Sequence, residues 1–186
     1  FPIKTAHGHI LDVLDKLNSG RFLNRLVFAG GTMLRLCHGL DRYSVDLDFW
    51  TIREMNFPEV FAELKGYLSG RYELKDAKNK HFAILFELRA PGYPRALKLE
   101  IRKELKKLKI EKSIAYSAHS NIQVLLNTPT LGEMMRAKLE AFADRREIRD
   151  VYDIEFMFKR GVKIEADAAS LNKLLNGIKN FSSTDY

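Results

Sequence analysis

Residues 28–50 read FAGGTMLRLCHGLDRYSVDLDFW, and the fold turns on how this stretch is parsed. The apolar run Leu26-Val27-Phe28-Ala29 reads as a buried strand that breaks at Gly30-Gly31-Thr32, where a turn leaves backbone N–H groups exposed. A helix follows, with Met33, Leu34 and Leu36 on its apolar side and Gly39 as its stop. After Asp41-Arg42-Tyr43-Ser44 a second strand is expected over residues 45–50. Alternation there sets Asp46 and Asp48 on one face and Val45, Leu47 and Phe49 on the other. Two carboxylates side by side on a strand repel unless a cation sits between them. Asp-x-Asp is therefore a candidate site for Mg²⁺, which takes a few hard carboxylate oxygens and completes its octahedron with water and phosphate. Gly30, Gly31 and Thr32 supply the other half of a nucleotide site, because N–H groups at a helix N-terminus and a hydroxyl both suit phosphate oxygens. Each feature alone has an ordinary reading, a strand-to-helix turn and an exposed strand face. Their order and spacing together favour function.

At 186 residues and 46% hydrophobic, the chain can fill one domain, or a core with a helical extension. Its net charge of +7 and pI near 9.4 suit an anionic partner, nucleic acid above all, although abundant Lys and Glu equally suit surface ion pairs. No apolar run approaches the roughly 20 residues that span a bilayer, and no signal peptide opens the sequence, so a soluble cytoplasmic protein without membrane contact is expected. The single Cys37 excludes an internal disulfide and a Cys-based zinc site, and reads as a packed small side chain. The five histidines show no metal-ligand spacing beyond His7-x-His9, an incidental pair.

Helical spacing predicts packing helices over residues 6–19 and from Pro58 to Gly70. Between residues 72 and 102 the pattern turns to three strands, 72–76, 81–89 and 96–102, joined by a Lys78-Asn79-Lys80 turn and a Pro91-Gly92-Tyr93-Pro94 loop. This meander is expected to extend the sheet that holds Asp46. In its last strand Leu97, Leu99 and Ile101 face one way and Lys98, Glu100 and Arg102 the other. Glu100 meets Asp46 and Asp48 if the strands are neighbours; otherwise it pairs with Lys98 or Arg102. Residues 102–112, RKELKKLKIEK, are either a solvated surface segment or a track for phosphates. A short strand is expected over residues 122–126.

From Leu131 the residues Leu131, Met134, Met135, Lys138, Leu139 and Phe142 form an inward stripe. Lys138 in that stripe is either a snorkelling stem or a placed phosphate ligand. Arg145 and Arg149 share a side if the helix continues, while Asp150 and Asp153 share a face of the next helix, ended by Gly161. By themselves these are helix-end charges. Leu171, Leu174, Leu175 and Ile178 mark a last packing helix before Ser182-Ser183-Thr184.

The stretch GGTMLRLCHGLDRYSVDLDF, residues 30–49, resembles the first motif of nucleotidyltransferases of the DNA polymerase β superfamily. With Arg42 and Ser44 ahead of Asp46-Leu47-Asp48-Phe49 it is most similar to the AbiEii/AbiGii-type toxin family. Lys138, Arg149, Asp150 and Asp153 match, in order, that family's later Lys and Arg-Asp-x-x-Asp pattern, so the resemblance covers about residues 25–161. It implies an α/β (α+β) polymerase β-like fold, a mixed twisted sheet flanked by helices. The core would span residues 1–127, with a C-terminal helical part, 128–186, packed on it and closing a cleft. It further implies Mg²⁺-dependent (or Mn²⁺-dependent) transfer of a nucleotide from an NTP to an acceptor hydroxyl. In that scheme Asp46, Asp48 and Glu100 hold the metal, Glu100 standing where the superfamily usually has Asp. Gly30, Gly31, Thr32, Ser44, Arg149, Asp150 and Asp153 bind the nucleotide, and Lys138 neutralises charge as pyrophosphate leaves. The resemblance also implies a toxin of a toxin–antitoxin pair, with an antitoxin protein as partner and an RNA acceptor such as a tRNA end. The alternatives are transfer to a protein or small molecule, or a nucleotide-binding protein of the same fold without catalysis.

Overall fold

The unbroken apolar run Leu26–Ala29 forms a strand, β1, with all four residues buried. It belongs to a computed structural model that describes residues 3–89 and 95–181. The Pro91-Gly92-Tyr93-Pro94 loop, the Ser182-Ser183-Thr184 end and the His7 side chain lie outside the described residues. The chain divides into two compact units, residues 1–128 and 129–186.

The first unit runs α1 (Ile3–Ser19), a 3-10 turn (Phe22–Asn24), β1, α2 (Gly30–His38), β2 (Leu47–Thr51), α3 (Phe57–Ser69), β3 (Glu73–Asn79), β4 (Ala83–Arg89), β5 (Leu97–Leu105), β6 (Ile110–Ala115) and β7 (Val124–Pro129). Five strands make one mixed sheet in the order β1-β2-β5-β4-β3, and β6 pairs with β7 in a second. The meander β3-β4-β5 is antiparallel throughout. It joins the motif-bearing strand through the single parallel pair β2–β5, and β1 lies antiparallel on the other side of β2. One face of this sheet is core: Leu47, Phe49, Ile84, Phe86, Leu99 and Ile101 are each 0% exposed. The alternate residues on β2 and β5, Asp48, Lys98, Glu100 and Arg102, are the polar set of the opposite face. Helix α2 packs along β1 and β2, and α3 against β3.

Local signals set the helix ends. Gly39, at φ 77°, lets the Leu40 N–H donate back to the Leu34 carbonyl at 3.1 Å, closing α2. Asn56 caps α3 by accepting from the Glu59 N–H, with Pro58 in the first turn.

The structure changes several of these bounds: β3 runs on through Lys78 and Asn79 of the expected turn, and β7 covers Val124–Pro129 rather than residues 122–126. Strand β2 begins at Leu47, not at residue 45, so Asp46 sits in the approach to the strand rather than in its ladder. Strand β5 runs to Leu105 and bulges against β2, where Thr51 pairs with Leu105 after Phe49 pairs with Ile101. The Thr51 hydroxyl lies 3.1 Å and 2.9 Å from the carbonyls of Arg102 and Glu104 and donates to this bulge. The basic residues 102–112 stay at the surface, none of them buried, but they are not one loop: the first four finish β5, and β6 starts at Ile110. What disguised β6 is its outer row, Ile110, Lys112 and Ile114, which is exposed, while Ser113 and Ala115 turn inward and Ser113 Oγ meets Thr128 Oγ1 at 2.8 Å.

The second unit is helical: α4 (Leu131–Arg145), α5 (Ile148–Lys159) and α6 (Ala168–Lys179). Thr130 caps α4 by accepting from the Glu133 N–H. The α4 stripe is inward as expected, with Met134, Met135, Lys138 and Phe142 buried. Helix α4 does not continue, however. Arg146 takes a left-handed conformation, φ 53°, and its N–H closes on Phe142, so Arg145 and Arg149 fall on different helices.

A Leu99→Ala substitution tests the sheet core, because Leu99 lies on central β5 with no exposure. We expect a loss of about 2–5 kcal/mol, read as a lower denaturant midpoint at unchanged m-value.

Candidate active site

Strand register decides what Asp48 meets. Across β1–β2 its partner is Ala29, the residue before the Gly-Gly turn, and across β2–β5 its partner is Glu100. Gly30 follows Ala29 with φ +78°, and a Cβ there would fall 2.6 Å from Asp48 Oδ2. The turn and the carboxylate are therefore in contact, and only glycine permits both the backbone conformation and the approach. The two halves of the motif, 18 residues apart, form one place.

Negative charge concentrates there. The Asp48 carboxyl titrates above the usual carboxylate range, first because it is buried and then because Glu100 and Asp46 repel its charge, against the opposing pull of Arg102 and Lys98. Glu100 is held by Lys98, whose Nζ donates to Oε2 at 2.9 Å, with Arg102 Nε 3.5 Å from Oε1. The Lys98 amine titrates above its ordinary value, chiefly through that hydrogen bond, and also feels Asp46 and Asp48. Three acids against two cations leave a local excess of one negative charge. Glu100 shares the face of Asp48 and is paired with Lys98 and Arg102. Among the described residues, no three His, Cys, Asp or Glu groups close around a common metal position. Lys98 and Arg102 draw the Glu100 oxygens toward themselves. Hard oxygen donors that repel one another, as Asp48 and Glu100 do, are the donor chemistry a hard divalent cation takes.

Beside the carboxylates lies the hydroxyl side of the site. Thr32, 1% exposed, has its Oγ1 2.9 Å from Ser44 Oγ, so the two hydroxyls expected at the phosphates bond to one another. Arg35 donates to the Ser44 carbonyl at 3.0 Å and holds the segment before Asp46 on α2. A Cβ on Gly31 would lie 2.9 Å from Ser44 Oγ and closer still to the Arg42 guanidinium. Arg42 therefore rests on the turn. Arg42, Lys98 and Arg102 thus join the expected residues at the site. The signals were present, in Arg-x-Ser ahead of Asp-x-Asp and in the Lys-x-Glu-x-Arg alternation. Cys37 is no nucleophile, since burial, with Glu111 nearby, pushes its thiol up to about 12.

In the second unit, Lys138, Asp150 and Asp153 come together. Lys138 Nζ donates to Asp150 Oδ1 at 3.1 Å and lies 2.7 Å from Asp153 Oδ2, and both carboxylates have 0% side-chain exposure. Arg145 completes the cluster by clamping Asp150 with Nε at 2.8 Å and Nη2 at 2.7 Å. Arg149 instead pairs with Glu147 and is 51% exposed. The aspartates are therefore buried partners rather than surface charges, and the arginine on Asp150 is Arg145 rather than Arg149. Burial works to raise the Asp150 carboxyl, but the hydrogen bond from Arg145 and the charge of Lys138 hold it below the usual range.

Replacing Asp150 by Asn leaves Lys138 and Arg145 underpaired, so at pH 7 we expect a loss of about 3–5 kcal/mol in chemical denaturation. The folded-state carboxyl titrates below its unfolded counterpart, so its contribution is full above the unfolded value and fades as pH falls through the folded one. The gap between parent and Asp150→Asn should accordingly shrink below about pH 4.

The family model described as nucleotidyl transferase AbiEii toxin, type IV TA system, matches residues 12–178. No curated protein sequence matches the chain. Solved structures of similar fold include JHP933 from Helicobacter pylori, with 20% identity, 97% of this chain and 76% of that one covered, and a TM-score of 0.61. MenT4, a nucleotidyltransferase toxin from Mycobacterium tuberculosis H37Rv, shares 22% identity over 79% of this chain and 58% of its own, with a TM-score of 0.52. An antigenic nucleotidyltransferase-like protein from Paracoccidioides brasiliensis shares 17% identity over 94% and 87% of the two chains, with a TM-score of 0.59. At these identities the likeness is one of fold. The family match carries more, because it spans both the Gly-Gly/Asp-x-Asp centre and the Lys138–Asp150–Asp153 cluster: the chain belongs to the AbiEii nucleotidyltransferase toxin family.

Proposed function

We propose that this chain is a toxin that moves a nucleoside monophosphate from an NTP to a hydroxyl of an RNA acceptor, with Mg²⁺ or Mn²⁺ bound by Asp46, Asp48 and Glu100. The observation that carries the reading is the contact of the Gly30 turn with Asp48, which sets a phosphate-binding helix start against a cluster of carboxylates. A divalent ion held there would offset charge on the transferring phosphoryl group and favour the acceptor alkoxide. The acceptor oxygen bonds to the α-phosphorus as the bond to the bridging oxygen breaks, and pyrophosphate leaves with that electron pair.

The chain's own residues bind and orient. Backbone N–H groups of Gly30 and Gly31, at the start of α2, take phosphate oxygens, and Thr32 and Ser44 exchange their mutual hydrogen bond for the same oxygens. Glu100 accepts a proton at the acceptor hydroxyl once Lys98 and Arg102 turn from it toward phosphate. For Lys138, Arg149, Asp150 and Asp153 the support is the family pattern, and the geometry adds that Asp150 and Asp153 hold the Lys138 amine in one orientation. An antitoxin partner follows from the family, and cytoplasmic action from the need for NTPs and RNA. No helix among the described residues is long and apolar enough to cross a membrane.

The pairing of Glu100 with two cations favours one competing reading, a protein that binds nucleotide without turnover. Incubation with each labelled NTP, Mg²⁺ and total RNA separates the two: label should enter RNA from a preferred NTP. Label on protein or on a small molecule, or nucleotide binding without transfer, would refute the RNA reading. Transfer to RNA should also fall steeply with added salt.

Asp48→Asn should lower transfer at least about a hundredfold while leaving the melting temperature unchanged or higher, because it removes charge from a crowded acidic site. Full activity in that variant would remove the mechanism.

A further inference from the structure

The β3–β4 hairpin ends in an aromatic ring that the fold holds outward. Phe82 is 79% exposed, more than any other large apolar side chain among the described residues. Single exposed apolar residues are common, but this one stands on a fixed base. The Lys80 N–H donates to the Ala83 carbonyl at 2.8 Å and closes the turn, while the Lys103 N–H donates to the Phe82 carbonyl at 3.0 Å. The Lys103 amine reaches the Lys80 carbonyl at 2.5 Å, and the His81 ring stands edge-on to Phe82, with centroids 4.4 Å apart. A ring presented this way binds with little ordering cost.

Its surroundings are cationic. Lys78, Lys80 and Arg102 are exposed, and Arg102 pairs in register with Ala83, the residue after Phe82. Lys103, which holds the tip, is three residues along β5 from Glu100, about 10 Å at the rise of a strand, and its amine lies 5.5 Å from the centroid of the Phe57 ring, on the face of the sheet opposite Glu100. An aromatic plate beside cations matches the chemistry of an unpaired nucleic-acid segment: a base offers a π-face and its flanking phosphates offer charge.

We propose that the β3–β4 hairpin tip is a stacking platform for the RNA that carries the acceptor, with Phe82 taking the face of an unpaired base while Lys80 and Arg102 meet flanking phosphates. This rests on the RNA-acceptor reading and adds that the RNA is single-stranded where it meets the hairpin tip. The test is the affinity of the whole chain for a short, unstructured, fluorescein-labelled RNA, measured by anisotropy at several salt concentrations. Phe82→Ala should weaken binding about tenfold, leave the salt slope unchanged and leave the melting temperature unchanged. Phe82→Trp should bind at least as well as the parent, and Lys80→Ala should lower the salt slope by about 0.7. A blunt duplex of the same sequence should be indifferent to Phe82→Ala. If the parent binds the RNA and Phe82→Ala binds equally well, or loses equally on the duplex, the platform is overturned and the RNA acceptor stands. If the parent binds no RNA even at low salt, the acceptor reading falls and the platform with it.

Discussion

Asp48 sits between two neighbours that cannot both be comfortable with its charge. On one side the Gly30 backbone presses on its carboxylate, and on the other Glu100 faces it across a parallel ladder. The rest of the first unit is arranged around keeping it there. The β2–β5 pair is the one parallel junction in an otherwise antiparallel sheet, and it requires the long excursion through α3, β3 and β4. The apolar residues Leu47, Phe49, Leu99 and Ile101 hold that junction from the opposite face. Core packing thus stabilises an arrangement whose polar face repels itself, and the repulsion is tolerated because Lys98 and Arg102 share the face.

The second unit solves a different electrostatic problem. Two buried aspartates meet one buried lysine and one half-exposed arginine, so the cluster is neutral and every carboxylate has a cationic partner. Such a cluster need not add net stability over an apolar replacement, but it tolerates no single deletion, because each member's burial depends on the others. It ties α4 to α5 across the left-handed break at Arg146, which spends backbone energy to turn the chain. The geometry is that of a positioned charge rather than a snorkelling lysine.

The two open features, the carboxylate face and the hairpin tip, come from the same strands. β5 carries Glu100 on one residue and, three residues on, the lysine that fixes the turn around Phe82. Three residues is an odd step along a strand, so the lysine and Glu100 lie on opposite faces of β5.

Much of the site was legible in the sequence, and the reason is periodicity. Alternation alone places Lys98, Glu100 and Arg102 together, and once Leu47, Phe49, Leu99 and Ile101 must share a core, Asp48 and Glu100 must share the other face whatever their register. The Gly-Gly-Thr turn, the β1 bounds and the buried stripe containing Lys138 were readable for the same local reason. Register was not readable: that Asp48 stands opposite Glu100, and that Gly30 touches it, depends on pairings between segments tens of residues apart. Nor was the choice between Arg145 and Arg149, because a continuous helix would align them. Only the left-handed turn at Arg146, a non-glycine conformation that no residue pattern announces, gives Asp150 to Arg145 and leaves Arg149 with Glu147. Sequence determined which residues share a face, since that is set by the geometry of a single strand or helix. Tertiary structure decided which of them touch, since contact is set by how separate elements are brought into register.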